Sequence, residues 1–327
     1  MARTERLSRR RFVGGALTAA AGAVLGGATA ARDTAGATSN FSADSARFAG
    51  AFVNWGSDGR EQVLQAWEKW LKQKPSSVPG VDFYGQSSWE DLRKMDWVPS
   101  IWRRLNPKRN VVWSMPLTIT GTPLADVADG LHDSEFETAA RAISDAQPRA
   151  IIRLGWEMNL SQMGWFAKGQ EADYVRAFRH VADIFRSSSS EFKFDWCPGW
   201  GPQEMPADLA YPGDDVVDYI GLDVYDFKSE GSVAERWQTL YLKAPFGLEW
   251  HRDFAAQRGK RISFPEWGVG HAGDNPYFIQ KMHDWFVENR DMIAYAAYFN
   301  VDGLWPTQID TGRFPESEKL FRKLFGL

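Results

Sequence analysis

Eight short apolar runs, each followed by a longer amphipathic stretch, set what this chain of 327 residues can fold into. The runs are FAGAFVNW (48–55), VDFYG (81–85), NVVWSMPLTI (110–119), AIIRLGWE (150–157), FKFDWCP (192–198), DVVDYIGLDVY (215–225), RISFPEW (261–267) and IAYAAYFNV (293–301). All are of strand length and rich in β-branched and aromatic residues. The stretches between them, such as EQVLQAWEKWLKQ and EADYVRAFRHVADIFRSS, repeat apolar residues at the helical spacing of three and four. Only the fifth helix is weak, confined to something short within Gln203 to Leu209. Strands separated by helices run parallel, because the helix is the crossover. Eight units and no glycine-rich phosphate fingerprint favour an α/β fold of one domain, a (β/α)8 TIM barrel over residues 47–327, above a doubly wound sheet.

The residues ahead of the barrel read differently. SRRRFVGG at Ser8 to Gly15 precedes an Ala/Gly-rich, weakly apolar run, and ATA at Ala28 to Ala30 fits a small-residue cleavage site. Residues 1–30 are therefore expected to be a twin-arginine export signal, and 31–46 a disordered N-terminal segment. Once the signal is removed the chain holds 33 basic and 41 acidic side chains, a net charge near −8, so nucleic acid is excluded as a partner. Cys197 is the sole cysteine, which leaves an exported chain without a disulfide and dependent on its core. The five histidines never take the helical spacing of a zinc site, so neither a metal nor another cofactor is expected. No membrane segment is expected beyond the signal, and the mature protein is expected to be a secreted monomer.

The fourth run carries the chemistry. If AIIRLGWEMNL at 150–160 is extended, Arg153, Gly155 and Glu157 face one way and Ile152, Leu154 and Trp156 the other. Buried charges need partners, so the ionic face belongs to an ion pair or to a polar cavity at the strand end. In a barrel the C-terminal strand ends form one rim. Glu157 closes the fourth strand and Glu266, in FPEWGVG, the seventh. Two carboxyl groups facing each other across such a mouth are what cleavage of a glycosidic bond requires: an acid to protonate the leaving oxygen, and a carboxylate to attack or to activate water. Arg153 is expected to hold the carboxylates by hydrogen bonds. Asp223 and Tyr225 share a face with Tyr219 and Gly221 and are expected to point inward, with Ile220, Leu222 and Val224 facing the helices.

These residues carry a resemblance. Arg153-Leu154-Gly155-Trp156-Glu157-Met158-Asn159 is similar to the R-P-x-H-E-M-N pattern of glycoside hydrolase family 26, with Trp156 where the family has histidine. YPGDDVVDYIGLDVYD at Tyr211 to Asp226, PEWG at Pro265 to Gly268 and VDGLWP at Val301 to Pro306 follow in the family's order, so the likeness covers nearly the whole mature chain. The resemblance implies a retaining endo-β-glycanase of the β-1,4-mannanase kind acting on a polysaccharide. Glu157 is then the acid/base, Glu266 the nucleophile, Tyr225 a hydrogen-bond donor to it, and Trp305 the platform under the sugar. The alternatives are a β-1,3-xylanase, a mixed-linkage β-glucanase, or a catalytically inactive barrel that only binds glycan.

Sixteen tryptophans also bear on substrate. Several fall at strand ends or in the loops beyond: Trp55, Trp113, Trp156, Trp165, Trp200, Trp267 and Trp305. Most large aromatics are core, yet sugar rings offer flat C–H faces that stack on indoles. The expected substrate contacts are Arg153, Trp156, Asn159, Trp165, Trp200, Asp223, Tyr225 and Trp305.

Overall fold

The structure, a computed structural model, describes residues 45–53, 60–85, 87–227, 229–303 and 305–327. The expected signal at 1–30, nearly all of 31–46, and Trp55 lie outside them. Ser45 already belongs to a helix, α1 (Ser45–Phe48), and is buried with Phe48.

Eight parallel strands close into a barrel. They are β1 (Gly50–Phe52), β2 (Gly80–Phe83), β3 (Val111–Met115), β4 (Ile151–Leu154), β5 (Lys193–Trp196), β6 (Tyr219–Gly221, resumed at Val224–Tyr225), β7 (Arg261–Gly268) and β8 (Ile293–Phe299). Closure runs from Ala51, paired with Gly80 of β2 and with Tyr298 of β8, round to Ile220 of β6 beside Ile262 of β7. All eight runs in the sequence thus become strands, most of them shorter than the run.

Helices cover the outside: α2 (Arg60–Trp70), α3 (Trp89–Lys94), α4 (Trp97–Leu105), α5 (Leu124–Ala128), α6 (Asp133–Ala146), α7 (Glu171–Ser188), α8 (Val233–Arg236) running into a π-helical turn at Trp237–Leu242, α9 (Leu248–Gln257), α10 (Pro276–Glu288) and α11 (Pro315–Phe325). The weak fifth unit is a single 3-10 turn at Ala207–Ala210, after Pro206. Local chemistry sets several starts. Ser88 accepts from Asp91 N, Ser232 and Glu235 form a reciprocal cap, and Asn275 accepts from Phe278 N just ahead of Pro276.

Alternation divides each strand between two cores. Ile152 and Leu154 pack outward among the helices with Trp113, Phe264 and Trp267, while Ile151, Val81, Val112, Tyr225 and Tyr295 fill the barrel. At α2 the outer layer holds a fully buried ion cluster: Arg109 donates to Glu61 (2.7 and 3.0 Å), to Glu68 (2.5 Å) and to the Val78 carbonyl (2.9 Å). Every guanidinium nitrogen there has a partner, which is the condition under which a buried charge is tolerated.

Two irregularities place the site. β6 breaks at Leu222 and Asp223, where Asp223 N turns to Pro198 O (3.2 Å) and Trp200 N to Asp223 O (3.0 Å). In β7 the register against β8 shifts between Phe264 and Trp267, so three residue steps on β7 oppose two on β8, from Ala296 to Tyr298. Simple alternation from Ser263, which points inward, turns Glu266 outward with Phe264. The bulge reverses this, sending Glu266 into the mouth and Trp267 into the outer core. Pro265 sits at that bulge, where a missing N–H is tolerated.

Candidate active site

β4 ends earlier than its apolar run. After Leu154 the chain leaves the extended form: Gly155 has φ 50° and Glu157 φ 53°. Gly155 is required, since a Cβ there meets Leu117 Cβ at 2.8 Å and the Tyr174 ring at 3.2 Å. Glu157 holds its left-handed conformation at a cost of about 1–2 kcal/mol. Bonds from Glu157 N to Cys197 O (2.7 Å) and from Leu160 N to Glu157 O (3.0 Å) secure it. The expected alternation through residue 157 is therefore corrected. Trp156 still belongs to the outer cluster with Leu154, but its indole also lies against the Phe83 ring (5.4 Å) and 5.3 Å from the Arg153 guanidinium. The physical reason is the left-handed Gly155, which swings the chain end round.

Arg153 is the centre of the site. It is fully buried, donates from Nη1 to Glu266 Oε1 (2.7 Å) and Ser114 Oγ (3.0 Å), and donates from Nη2 to Asp223 Oδ2. The second oxygen of Glu266 accepts from the Tyr225 hydroxyl at 2.7 Å. Both Glu266 oxygens accept from strong donors, the pattern of an ionised carboxylate. Burial and the carboxylates of Glu266 and Asp223 push the Tyr225 phenol well above its ordinary range, so it keeps its proton and remains a donor.

Glu157 is in the opposite situation. Its backbone is bonded, but its carboxyl has no hydrogen-bond partner among the described residues. Burial first, and the charge on Glu266 second, raise its pKa to about 8, with Arg153 opposing. One guanidinium faces three carboxyl groups, and their mutual repulsion favours keeping a proton within the cluster, with Glu157 raised by it. Burial also raises Asp223, against the pull of Arg153.

The remaining predicted contacts divide. Trp305 is half-buried at the mouth, edge-on to Tyr225 with ring centres 5.7 Å apart. Trp156 and Trp165 pack on each other at 4.6 Å, Trp165 donates to the Trp156 carbonyl (2.5 Å), and both are 5% exposed. Trp200 is equally buried, stacked on Phe227 at 5.7 Å. Asn159 is fully buried, and its amide both gives to Gly199 O (2.8 Å) and takes from Gly199 N (2.9 Å). Asp223 is consumed by Arg153 and by the Cys197 thiol (3.3 Å). The polar groups of Asn159, Trp165 and Asp223 are thus engaged within the protein, whereas the buried indole N–H of Trp200 has no hydrogen-bond partner among the described residues.

The sequence reading missed three partners. Ser114 braces Arg153, Cys197 supplies both a thiol to Asp223 and a carbonyl to Glu157, and Asp195 stands beside Arg153 on β5. Asp195 takes hydrogen bonds from Ser263 (2.5 Å) and Tyr295 (2.7 Å), and burial lifts its pKa to about 6 against those donors. The available signal was strand parity: Ser114 and Asp195 stand beside Arg153 in register. A groove of about 510 Å³ between Trp70, Lys72, Arg322 and Lys323 lies where α2 and α11 finish, away from both glutamates. Its size carries none of this chemistry.

No protein-family model matches the chain. A mannan endo-1,4-β-mannosidase of Bifidobacterium adolescentis is 25% identical over 192 residues, covering 51% of this chain and 19% of that protein. The match thus spans less than a fifth of that relative's length. Among solved structures, the catalytic domain of a Bacillus sp. JAMB-750 endo-β-1,4-mannanase of glycoside hydrolase family 26 superposes with a TM-score of 0.59 at 17% identity, covering 87% of this chain and 88% of that one. An endo-β-1,4-mannanase of Cellulomonas fimi superposes with a TM-score of 0.57 at 19% identity, covering 80% and 66%. The described residues form a closed (β/α)8 barrel, a fold shared with the family 26 endo-β-1,4-mannanases.

Proposed function

We propose that the protein is a family 26 glycoside hydrolase, a retaining endo-β-glycanase acting on a β-1,4-mannan. One observation carries the reading: two glutamates at one barrel mouth are prepared for opposite tasks. Glu266, clamped by Arg153 and Tyr225 with both oxygens accepting, suits attack on the anomeric carbon. Glu157, with its pKa at about 8, keeps a proton at neutral pH for the departing oxygen, and as a base it takes one from the incoming water. In the first step the bond from the anomeric carbon to the leaving oxygen breaks, Glu266 Oε bonds to that carbon, and the Glu157 proton goes to the leaving group. In the second step water gives a proton to Glu157 and its oxygen displaces Glu266.

Trp305, half-buried beside Tyr225, is the face on which the sugar stacks. Trp156, packed between Phe83 and Trp165, favours a second reading of substrate, a β-1,3-xylan or mixed-linkage β-glucan, because an indole stands where the family carries an imidazole. Among the described residues no helix is long and apolar enough to cross a membrane. Export through the Arg9–Arg10 pair, with residues 1–30 as leader, belongs to the same proposal.

Variants of the two glutamates test the chemistry. Glu157→Ala is expected to fail on polysaccharide, to retain its first step on an aryl β-glycoside with an acidic phenol, and to yield a β-glycosyl azide when azide is added. Glu266→Ala is expected to fail on both substrates and to give the α-azide from a suitable donor. Near-normal polysaccharide cleavage by either variant, or azides of the reverse configurations, overturns the assignment. Products from a panel of mannan, β-1,3-xylan and mixed-linkage glucan separate the substrates, and binding of a glycan without any cleavage identifies an inactive barrel.

A further inference from the structure

Directly after Tyr225 stands a buried carboxylate that the two-glutamate chemistry does not use. Asp226 is fully buried; its Oδ1 accepts from the Tyr241 hydroxyl (3.0 Å), its Oδ2 from the Asn275 amide (2.7 Å), and Arg236 Nη2 lies 3.6 Å from Oδ1. Its main chain reaches the same segment. Asp226 N donates to Gly268 O (2.9 Å), and Ala272 N donates to Asp226 O (3.2 Å). The turn after β6 and the segment after β7 are therefore tied together at 268, 272 and 275.

A second anchor lies on the other side of that segment. Gly270 has φ 132°, and a Cβ there would lie 1.8 Å from the Pro306 carbonyl oxygen, so only glycine permits this approach to the loop after β8. Between the two anchors stands His271, and it is exposed. Its ring lies 5.2 Å from Trp305 and 5.5 Å from Phe227, and those two rings are 5.5 Å apart. The segment is held firmly on both sides of an exposed imidazole, a ring that can both donate and accept hydrogen bonds.

We propose that His271 is a specificity-determining residue that hydrogen-bonds the hydroxyls of the sugar seated on Trp305, and that Asp226 and Gly270 are the positioning residues that aim it. The proposal rests on the reading of this mouth as a glycan site. Its test uses the full chain with His271→Phe, which keeps the ring contacts, and His271→Asn, which keeps a donor and an acceptor. Activity is measured as kcat and KM on β-1,4-mannan, β-1,3-xylan and mixed-linkage β-glucan, and binding of oligosaccharides of each by calorimetry in a Glu266→Ala background. His271→Phe is expected to lower kcat/KM about three- to ten-fold on the glycan that is cut, the worth of one hydrogen bond, and to weaken oligosaccharide binding. His271→Asn is expected to recover most of the loss, with the melting temperature of both variants unchanged. A His271→Phe protein equal to wild type, or equal losses in both variants, overturns the inference while leaving the glycanase reading intact. A wild-type protein that neither cuts nor binds any of the three glycans overturns both.

Discussion

Replacing Glu157 by glutamine isolates the work done against its charge. Burial and Glu266 raise this carboxyl from 4.5 to about 8. At 1.36 kcal/mol per pH unit that gap corresponds to about 5 kcal/mol. The carboxyl is not sealed from solvent, which relaxes part of the penalty, so on the order of 3 kcal/mol is expected. The sign follows from linkage. The folded protein binds this proton more tightly than the unfolded chain does, so the stability it contributes is complete below pH 4.5 and is lost as pH rises through about 8. The amide of the Glu157→Gln variant cannot titrate. Urea unfolding followed by tryptophan fluorescence, from pH 4 to pH 9, should therefore show the variant gaining on wild type across that window and levelling off above it. Asp195, near 6, is present in both proteins, whereas Asp223, raised in part by Glu157, loses that contribution in the variant and belongs to the same difference. The same proton should appear as the basic limb of kcat/KM near pH 8 in the wild type, since that profile reports the free enzyme's acid. Stability curves that stay parallel across the range refute the claim that Glu157 is held protonated.

Tyr225→Phe leaves Glu266 Oε2 without its donor while keeping the ring contacts to Phe299 and Trp305; kcat/KM on polysaccharide should fall about ten- to a hundred-fold at unchanged melting temperature, in line with a hydrogen bond to a charged group. Gly155→Ala forces a Cβ against Leu117 at a left-handed position and should lose about 2–4 kcal/mol of stability together with most activity, measured by urea midpoint and initial rate. Arg109→Ala strands Glu61 and Glu68 in the outer core; a loss of about 3–5 kcal/mol with normal kcat/KM in the protein that remains folded is expected, and lowered kcat/KM in that folded fraction counts against a purely structural cluster.

The barrel was legible because its signals are local. Apolar runs of strand length, helical spacing between them and caps such as Ser88 and Asn275 act within a few residues, and each of the eight runs became a strand. Inward parity also held where strands stay regular. Arg153 and Tyr225 point inside, where both bond Glu266, and Ile220, Leu222 and Val224 go to the helices.

Parity failed where the chain stops being a strand. Trp156 swings toward the Arg153 guanidinium where Gly155 and Glu157 are left-handed, and the surroundings of that turn are Leu117 and the Cys197 carbonyl from the neighbouring units and Tyr174 from the helix that follows β4. Glu266 reaches the mouth through a register shift against β8, and nothing in RISFPEW alone counts residues on a neighbouring strand. That Glu157 is the acid was already implied by the resemblance, but the contacts that set the two carboxyl groups apart were beyond the sequence. Glu157 and Glu266 are the same amino acid, and only the assembled site separates them, giving one two donors and the other none. Residue type and spacing determined the architecture and set the two glutamates at strand ends; tertiary contacts decided where each points and what supports its charge, because aim and charge depend on atoms distant in sequence.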